Sequence, residues 1–139
     1  MIKAVIFDLS GVLICLRGEG DFEIIEDNFE FAKKLSNKYK IGILSNLSSD
    51  YVKKLKEKEF YNIFDVVDLS GKTGIAKPKE KSYFLILEKL EVNPEETVFI
   101  DDSLENIKIA KKLGINSIFY QNHENLRQEL GSMEKKFNF

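Results

Sequence analysis

Five short apolar runs, none with the alternation of a half-exposed strand, constrain this chain more than any other feature. Four are Ala4-Val5-Ile6-Phe7, Ile41-Gly42-Ile43-Leu44, Val98-Phe99-Ile100 and Ser117-Ile118-Phe119-Tyr120, and a weaker one is Phe64-Asp65-Val66-Val67. Continuous hydrophobicity predicts strands covered on both faces, as in a parallel sheet. Between the runs, Ile25, Phe29, Ala32, Leu35 and Tyr39 recur at steps of three or four. So do Tyr83, Ile86 and Leu90, and again Leu104, Ile107, Ala110 and Leu113. Each set predicts a helix whose apolar stripe faces the core. Strand alternating with helix predicts a single α/β domain, doubly wound (Rossmann-like), with a five-stranded parallel sheet and right-handed crossovers.

The punctuation supports this parse. A helix is expected from about Phe22 to Tyr39. Ser48, Ser49 and Asp50 are candidate N-caps for the segment from Tyr51 to Leu55. Pro78 suits the first turn of the helix carrying Tyr83, and Gly114 suits the end of the helix that begins near Ser103. With 139 residues there is room for one domain. Its core is placed at 1–131, with 132–139 as a tail whose Phe137 and Phe139 either fray or dock.

Composition narrows the function. A chain that is 43% hydrophobic and 32% charged is globular rather than disordered. Its formal charge of −2, from 21 basic and 23 acidic side chains, lacks the field of a general nucleic-acid binder. Cys15 is the sole cysteine, so neither an internal disulfide nor a multi-thiolate metal site is expected. Asp8 interrupts the first apolar run too early for a signal-peptide core, and no run approaches the ~20 residues of a membrane helix. A cytoplasmic protein without a membrane partner is the expectation.

In doubly wound sheets the ligand crevice lies beyond the carboxyl ends of the strands, where strand order reverses. Asp8 ends the first run, Ser45-Asn46 the second and Asp101-Asp102 the run at 98–100, while Lys77 precedes a helix. If the first strand is central, Asp8 stands between Ser45 and Asp101. Any one of these residues alone reads as a cap or turn, but several at strand ends form a chemical set. Close carboxylates repel unless a cation or proton intervenes. Oxygen ligands without thiolate or imidazole suit Mg²⁺. The Ser45 hydroxyl, Asn46 amide and Lys77 ammonium are donors suited to phosphate oxygens, and an aspartate can attack phosphorus to give an acyl phosphate.

These residues fall in recognisable motifs. Phe7-Asp8-Leu9-Ser10-Gly11-Val12-Leu13 resembles the first motif of the haloacid dehalogenase-like hydrolases, Leu44-Ser45-Asn46 the second, and Gly74-Ile75-Ala76-Lys77-Pro78 the third. Val98 to Ser103, followed by Asn106, Ala110 and Gly114, is similar to the fourth, and the resemblance runs from Ile2 to about Tyr120. It implies a Mg²⁺-dependent phosphatase with Asp8 as nucleophile and metal ligand. It also implies Asp101 as a ligand supported by Asp102, the Ser10 backbone carbonyl as a further ligand, and Ser45 and Lys77 holding the phosphate.

Two departures qualify that expectation. The family's phosphatases usually carry an acid/base aspartate two residues after the nucleophile, and here the position is Ser10, which does not titrate near neutrality. A second reading is therefore a degenerate member that binds a phosphorylated ligand or partner without turnover. Carbon–halogen hydrolysis and a phospho-receiver module rank below both. The second departure is the missing lid: the segment between Asp8 and Ser45 is shorter than the roughly 40 residues that fold alone. It leaves only a loop through Cys15, Arg17, Gly18, Glu19 and Gly20. An open cleft suits a large or macromolecular phosphorylated substrate, or a homo-oligomer whose partner subunit supplies the lid. Arg17 is expected near the cleft mouth, where steering an anionic substrate is the less favoured of its readings. Cys15 is expected to be buried, His123 a surface or capping residue, and Lys53 to Lys58 a solvated helix face.

Overall fold

A computed structural model describes residues 1–18, 20–47, 49–70 and 74–137, leaving aside the side chains of 49–52, 136 and 137. The strands are β1 (Ala4–Phe7), β2 (Ile14–Gly18), β3 (Asp21–Ile24), β4 (Lys40–Ser45), β5 (Val66–Leu69), β6 (Thr97–Asp101) and β7 (Asn116–Phe119). The α-helices are α1 (Glu26–Leu35), α2 (Ser49–Glu57), α3 (Glu80–Leu90), α4 (Leu104–Lys112) and α5 (His123–Phe137). Five strands pair in the order β5-β4-β1-β6-β7, all parallel. This is the doubly wound sheet expected from the apolar runs, with β1 at its centre.

Strand periodicity sorts the core into two layers. Val5, Phe7, Ile41, Ile43, Val98 and Ile100 point to one side, packing with Ala32 and Leu35 of α1, Leu55 of α2, and Leu126 and Leu130 of α5. Ala4, Ile6, Leu44 and Phe99 point to the other, against Tyr83, Ile86, Leu87 and Leu90 of α3 and Ile107 and Ala110 of α4. Gly42 lies where α3 comes closest: a Cβ there would meet Ile86, Leu90 and the Val66 carbonyl, each at 3.3 Å. Gly114, at φ +86°, ends α4 as its position in the sequence predicts.

Several local expectations are corrected. The segment around Phe22 is not helical: β2 and β3 form an antiparallel hairpin, and α1 starts only at Glu26. Gly18 and Gly20 both have positive φ. They reverse the chain between two short segments, which is a hairpin signal rather than a helix signal. Because β2 is exposed beyond Ile14, Cys15 is exposed rather than buried. The weak run at 64–67 becomes a strand two residues later, with the Asp65 carboxylate accepting the Ile41 N–H at 2.8 Å just ahead of it. Pro78 lies in the turn before α3, which begins at Glu80. Leu104, at the open end of its stripe, is 51% exposed rather than core. The candidate cap Ser48, and the side chains of Ser49, Asp50, Phe137 and Phe139, lie outside the described residues; the main chain of Ser49 and Asp50 is already within α2.

Between Asp8 and Ser45 the chain forms the hairpin and α1, so among the described residues no lid domain is inserted between these two strand ends. Lys54 of α2 donates to the Gly20 carbonyl at 2.7 Å, tying the hairpin tip to the body. The rest of the run from Lys53 to Lys58 is solvated apart from buried Leu55. No described helix is long and apolar enough to cross a membrane.

Candidate active site

The order β4-β1-β6 puts the ends of these three strands side by side. Asp8 follows β1, Ser45 ends β4 and Asp101 ends β6, so Asp8 sits between the other two, as follows once the first strand is central. Asp8, Ser10, Ser45, Asn46, Lys77, Asp101 and Asp102 all line one cleft of about 260 Å³, together with Leu47, Ser103 and Asn106.

Lys77 is the charge centre of the cleft. Its side chain is 1% exposed, and Nζ donates to Asp8 Oδ1 at 2.9 Å and to Asp101 Oδ2 at 2.8 Å. Asp8 Oδ1 also accepts the Leu9 N–H at 2.8 Å. Asp101 is fully buried and held on both oxygens: Oδ1 accepts the Ser103 N–H at 2.9 Å, and Oδ2 accepts the Asn106 amide at 3.0 Å. Asn106 is in turn fixed by the Tyr83 hydroxyl, which donates to its carbonyl at 2.9 Å. The Ser45 Oγ accepts the Leu47 N–H at 3.1 Å, leaving its own proton free to donate.

Asn46 turns its amide toward the main chain of Lys77 rather than the cleft centre. It donates to the Lys77 carbonyl and accepts the Lys77 N–H. Asp102 rests over Gly11, where a Cβ would lie 2.1 Å from its Oδ2, and Gly11 has φ +86°. A side chain at Gly11 would push that carboxylate away. Arg17 does not line the cleft; it pairs with Glu23 across the hairpin.

Burial pushes the Asp8 carboxyl up to about 7; the Lys77 ammonium opposes this and the Asp101 charge adds to it. The Asp102 carboxyl is raised by burial and then by the charge of Asp101. Burial is the larger cause of both shifts, and the charge of Asp101 adds to each. Ligand oxygens of Asp8, Asp101 and Asp102 lie within 4.8 Å of one another, a cluster that could hold a metal ion. The residues lining the cleft contribute carboxylates, hydroxyls and amides but no thiolate or imidazole. That donor set suits a hard divalent cation.

The part played by Asn106 in fixing Asp101 is absent from the strand-end reading, because it sits a helical turn beyond the strand. His123 is also more than a surface residue. Asn122 caps α5 instead, and His123 Nδ1 lies 2.8 Å from Oδ1 of Asn28, which is fully buried. Asn28 could have been noticed: it falls on the apolar stripe between Ile25 and Ala32.

The profile of the haloacid dehalogenase-like hydrolases matches residues 19–120, which include Ser45, Lys77 and Asp101. A phosphorylated carbohydrates phosphatase of Thermotoga maritima is 28% identical over 96 residues, covering 68% of this chain and 44% of that protein. A drimenol cyclase of Aspergillus calidoustus is 28% identical over 88 residues, covering 63% of this chain and 17% of that one. The chain spans less than half the length of these curated relatives. Among solved structures, a predicted HAD-like family hydrolase of Porphyromonas gingivalis aligns with a TM-score of 0.83 at 22% identity, over 96% of this chain and 98% of that one. A HAD family enzyme of Bacteroides thetaiotaomicron, solved with magnesium and inorganic phosphate, aligns with a TM-score of 0.77 at 23% identity, over 87% and 95% of the two chains. These structural likenesses concern the fold. With most of its length inside the family profile, the chain belongs to the haloacid dehalogenase-like hydrolases.

Proposed function

We propose that the protein is a magnesium-dependent phosphate-ester hydrolase acting through an aspartyl phosphate on Asp8. The observation that carries this reading is the buried Lys77 ammonium, shared by Asp8 and Asp101 in the cleft that also presents the Ser45 hydroxyl. Phosphoryl transfer needs little beyond positioning and charge neutralisation, and these groups offer both. The phosphatase name of the Thermotoga maritima relative and the magnesium and phosphate bound to the Bacteroides thetaiotaomicron enzyme support the same class.

Asp8, Asp101, the Ser10 carbonyl and nearby Asp102 would hold the cation. When bound, Mg²⁺ supplies the positive charge that keeps Asp8 ionised and offsets the charge of the phosphate. Ser45 and Lys77 then orient the phosphate by donating to its oxygens, and a carboxylate oxygen of Asp8 attacks phosphorus. The ester oxygen departs and takes its proton from water, because the Ser10 hydroxyl is not an acid near neutrality. Water next cleaves the phosphorus–oxygen bond, releasing inorganic phosphate and restoring the carboxylate. General acid–base help typically contributes ~10²–10⁴-fold, so slow turnover is expected.

Ser10 favours the second reading, a member that holds a phosphorylated ligand without turning it over. The uncovered strand ends suit a bulky or macromolecular substrate, or a second subunit acting as lid. The test is Mg²⁺-dependent release of phosphate from an aryl phosphate, with Asp8→Asn as control. Release by wild type alone supports hydrolysis; equal release by both variants contradicts Asp8 as nucleophile.

A further inference from the structure

A second polar network, centred on α1, joins the two segments that carry the proposed cation ligands. Its hub is Asn28 of α1, with 0% exposure. Asn28 Nδ2 donates to the Val12 carbonyl at 2.6 Å and to the Tyr120 hydroxyl at 2.8 Å. A carbonyl can only accept, so the contact with Val12 fixes which end of the amide faces it. Oδ1 therefore faces His123, whose Nδ1 carries the proton and donates across 2.8 Å. The His123 ring is itself set edge-on against Phe31.

Both ends of this network reach the active site through the backbone. Val12 belongs to the turn after Asp8, where the N–H groups of Leu13 and Ile14 bond to the Leu9 carbonyl and the Gly11 N–H bonds to the Ile14 carbonyl. Ser10 lies within that turn. At the other end, the Tyr120 N–H donates to the backbone carbonyl of Asp101 at 2.8 Å. Hydrogen bonds thus connect the Asp101 main chain, Tyr120, Asn28 and the Val12 main chain in sequence. An apolar side chain at this stripe position would cover the sheet without burying an amide. The amide adds direction, which a packed hydrocarbon does not.

We propose that Asn28 is a positioning residue, supported by Tyr120 and His123, that sets the spacing between the Ser10 turn and Asp101 and so tunes cation affinity. The role in catalysis rests on the phosphatase reading; the effect on the turn does not. Outer partners of this kind change metal affinity or activity by about 10–100-fold when removed.

The test compares full-length wild type with Asn28→Ala and Tyr120→Phe by site-resolved hydrogen exchange, by calorimetric titration with Mg²⁺ and by kinetics on an aryl phosphate. Faster exchange is expected at Gly11, Leu13, Ile14 and Tyr120, with the central β1, β4 and β6 amides unchanged. Mg²⁺ affinity should fall about 10–100-fold, and kcat more than KM. Tyr120→Phe removes one oxygen and should give a smaller change at the same amides. It keeps the test decisive if Asn28→Ala does not fold. Exchange that rises uniformly across the sheet, or unchanged turn amides with full Mg²⁺ affinity, would overturn the proposal. If wild type neither takes up Mg²⁺ nor hydrolyses phosphate, the phosphatase reading fails, and the pattern of exchange alone decides the role of Asn28.

Discussion

Asn46 grips Lys77 by the backbone: Nδ2 donates to the Lys77 carbonyl at 2.9 Å, and Oδ1 accepts the Lys77 N–H at 3.0 Å. This two-point contact fixes where the lysine stem enters the cleft, and so where Nζ meets both aspartates. Small displacements of a catalytic group can lower rates about 10²-fold. Asn46→Ala should therefore reduce kcat by about 10–100-fold while leaving thermal stability close to wild type, because the side chain is exposed. Steady-state kinetics and a melting curve on the same sample check both halves.

Removing the ammonium itself should be more severe. Lys77→Met strands two buried carboxylates, and breaking a buried pair by deleting one partner costs about 3–5 kcal/mol. Chemical denaturation near neutral pH should show that loss, added Mg²⁺ should restore part of it, and phosphatase activity should fall to background.

The Asp8 carboxyl gives a signed pH dependence. Its folded value, about 7, lies above the ordinary 3.8, so the fold prefers the neutral form. That preference contributes stability that is complete below about 3.8 and lost as pH rises through about 7. In chelator, wild type should lose stability relative to Asp8→Asn between about pH 4 and pH 7 and level off above that. Cation binding runs the other way, because it needs the ionised carboxylate. Mg²⁺ affinity should weaken as pH falls below about 7, with proton release on binding, measurable by calorimetry in two buffers.

Ser10→Asp places a titratable group two residues after Asp8, the proposed nucleophile. It should raise turnover by about 10²–10⁴-fold, or shorten the life of a phosphorylated Asp8 correspondingly. No turnover in either variant would favour the ligand-binding reading.

The five strands and the polar residues at their ends were legible because each rests on a local signal, a largely apolar run closed by a polar residue; the central place of β1 was only a condition of that reading, and the pairing of the strands supplies it. The hairpin was misread because Phe22 and Ile25 are spaced like the start of the following stripe, while the positive-φ glycines that reverse the chain are visible only as composition. Cys15 follows from that error, since its burial depends on which face of β2 meets the body. Leu104 shows that a stripe does not fix where a helix leaves the core. The grip of Asn46 on Lys77, and the joining of Val12 to Tyr120 through Asn28, depend on contacts between residues far apart in the chain. Spacing alone does not encode them.

The most direct test of the account is chemical trapping of the phosphorylated enzyme. The protein is mixed with an aryl phosphate and Mg²⁺, quenched, and treated with borohydride, which reduces an aspartyl phosphate to homoserine; peptide mass spectrometry then locates the product. The account predicts homoserine at position 8, dependent on both substrate and Mg²⁺ and absent from Asp8→Asn. Phosphate release without any reduction product at position 8 would contradict it.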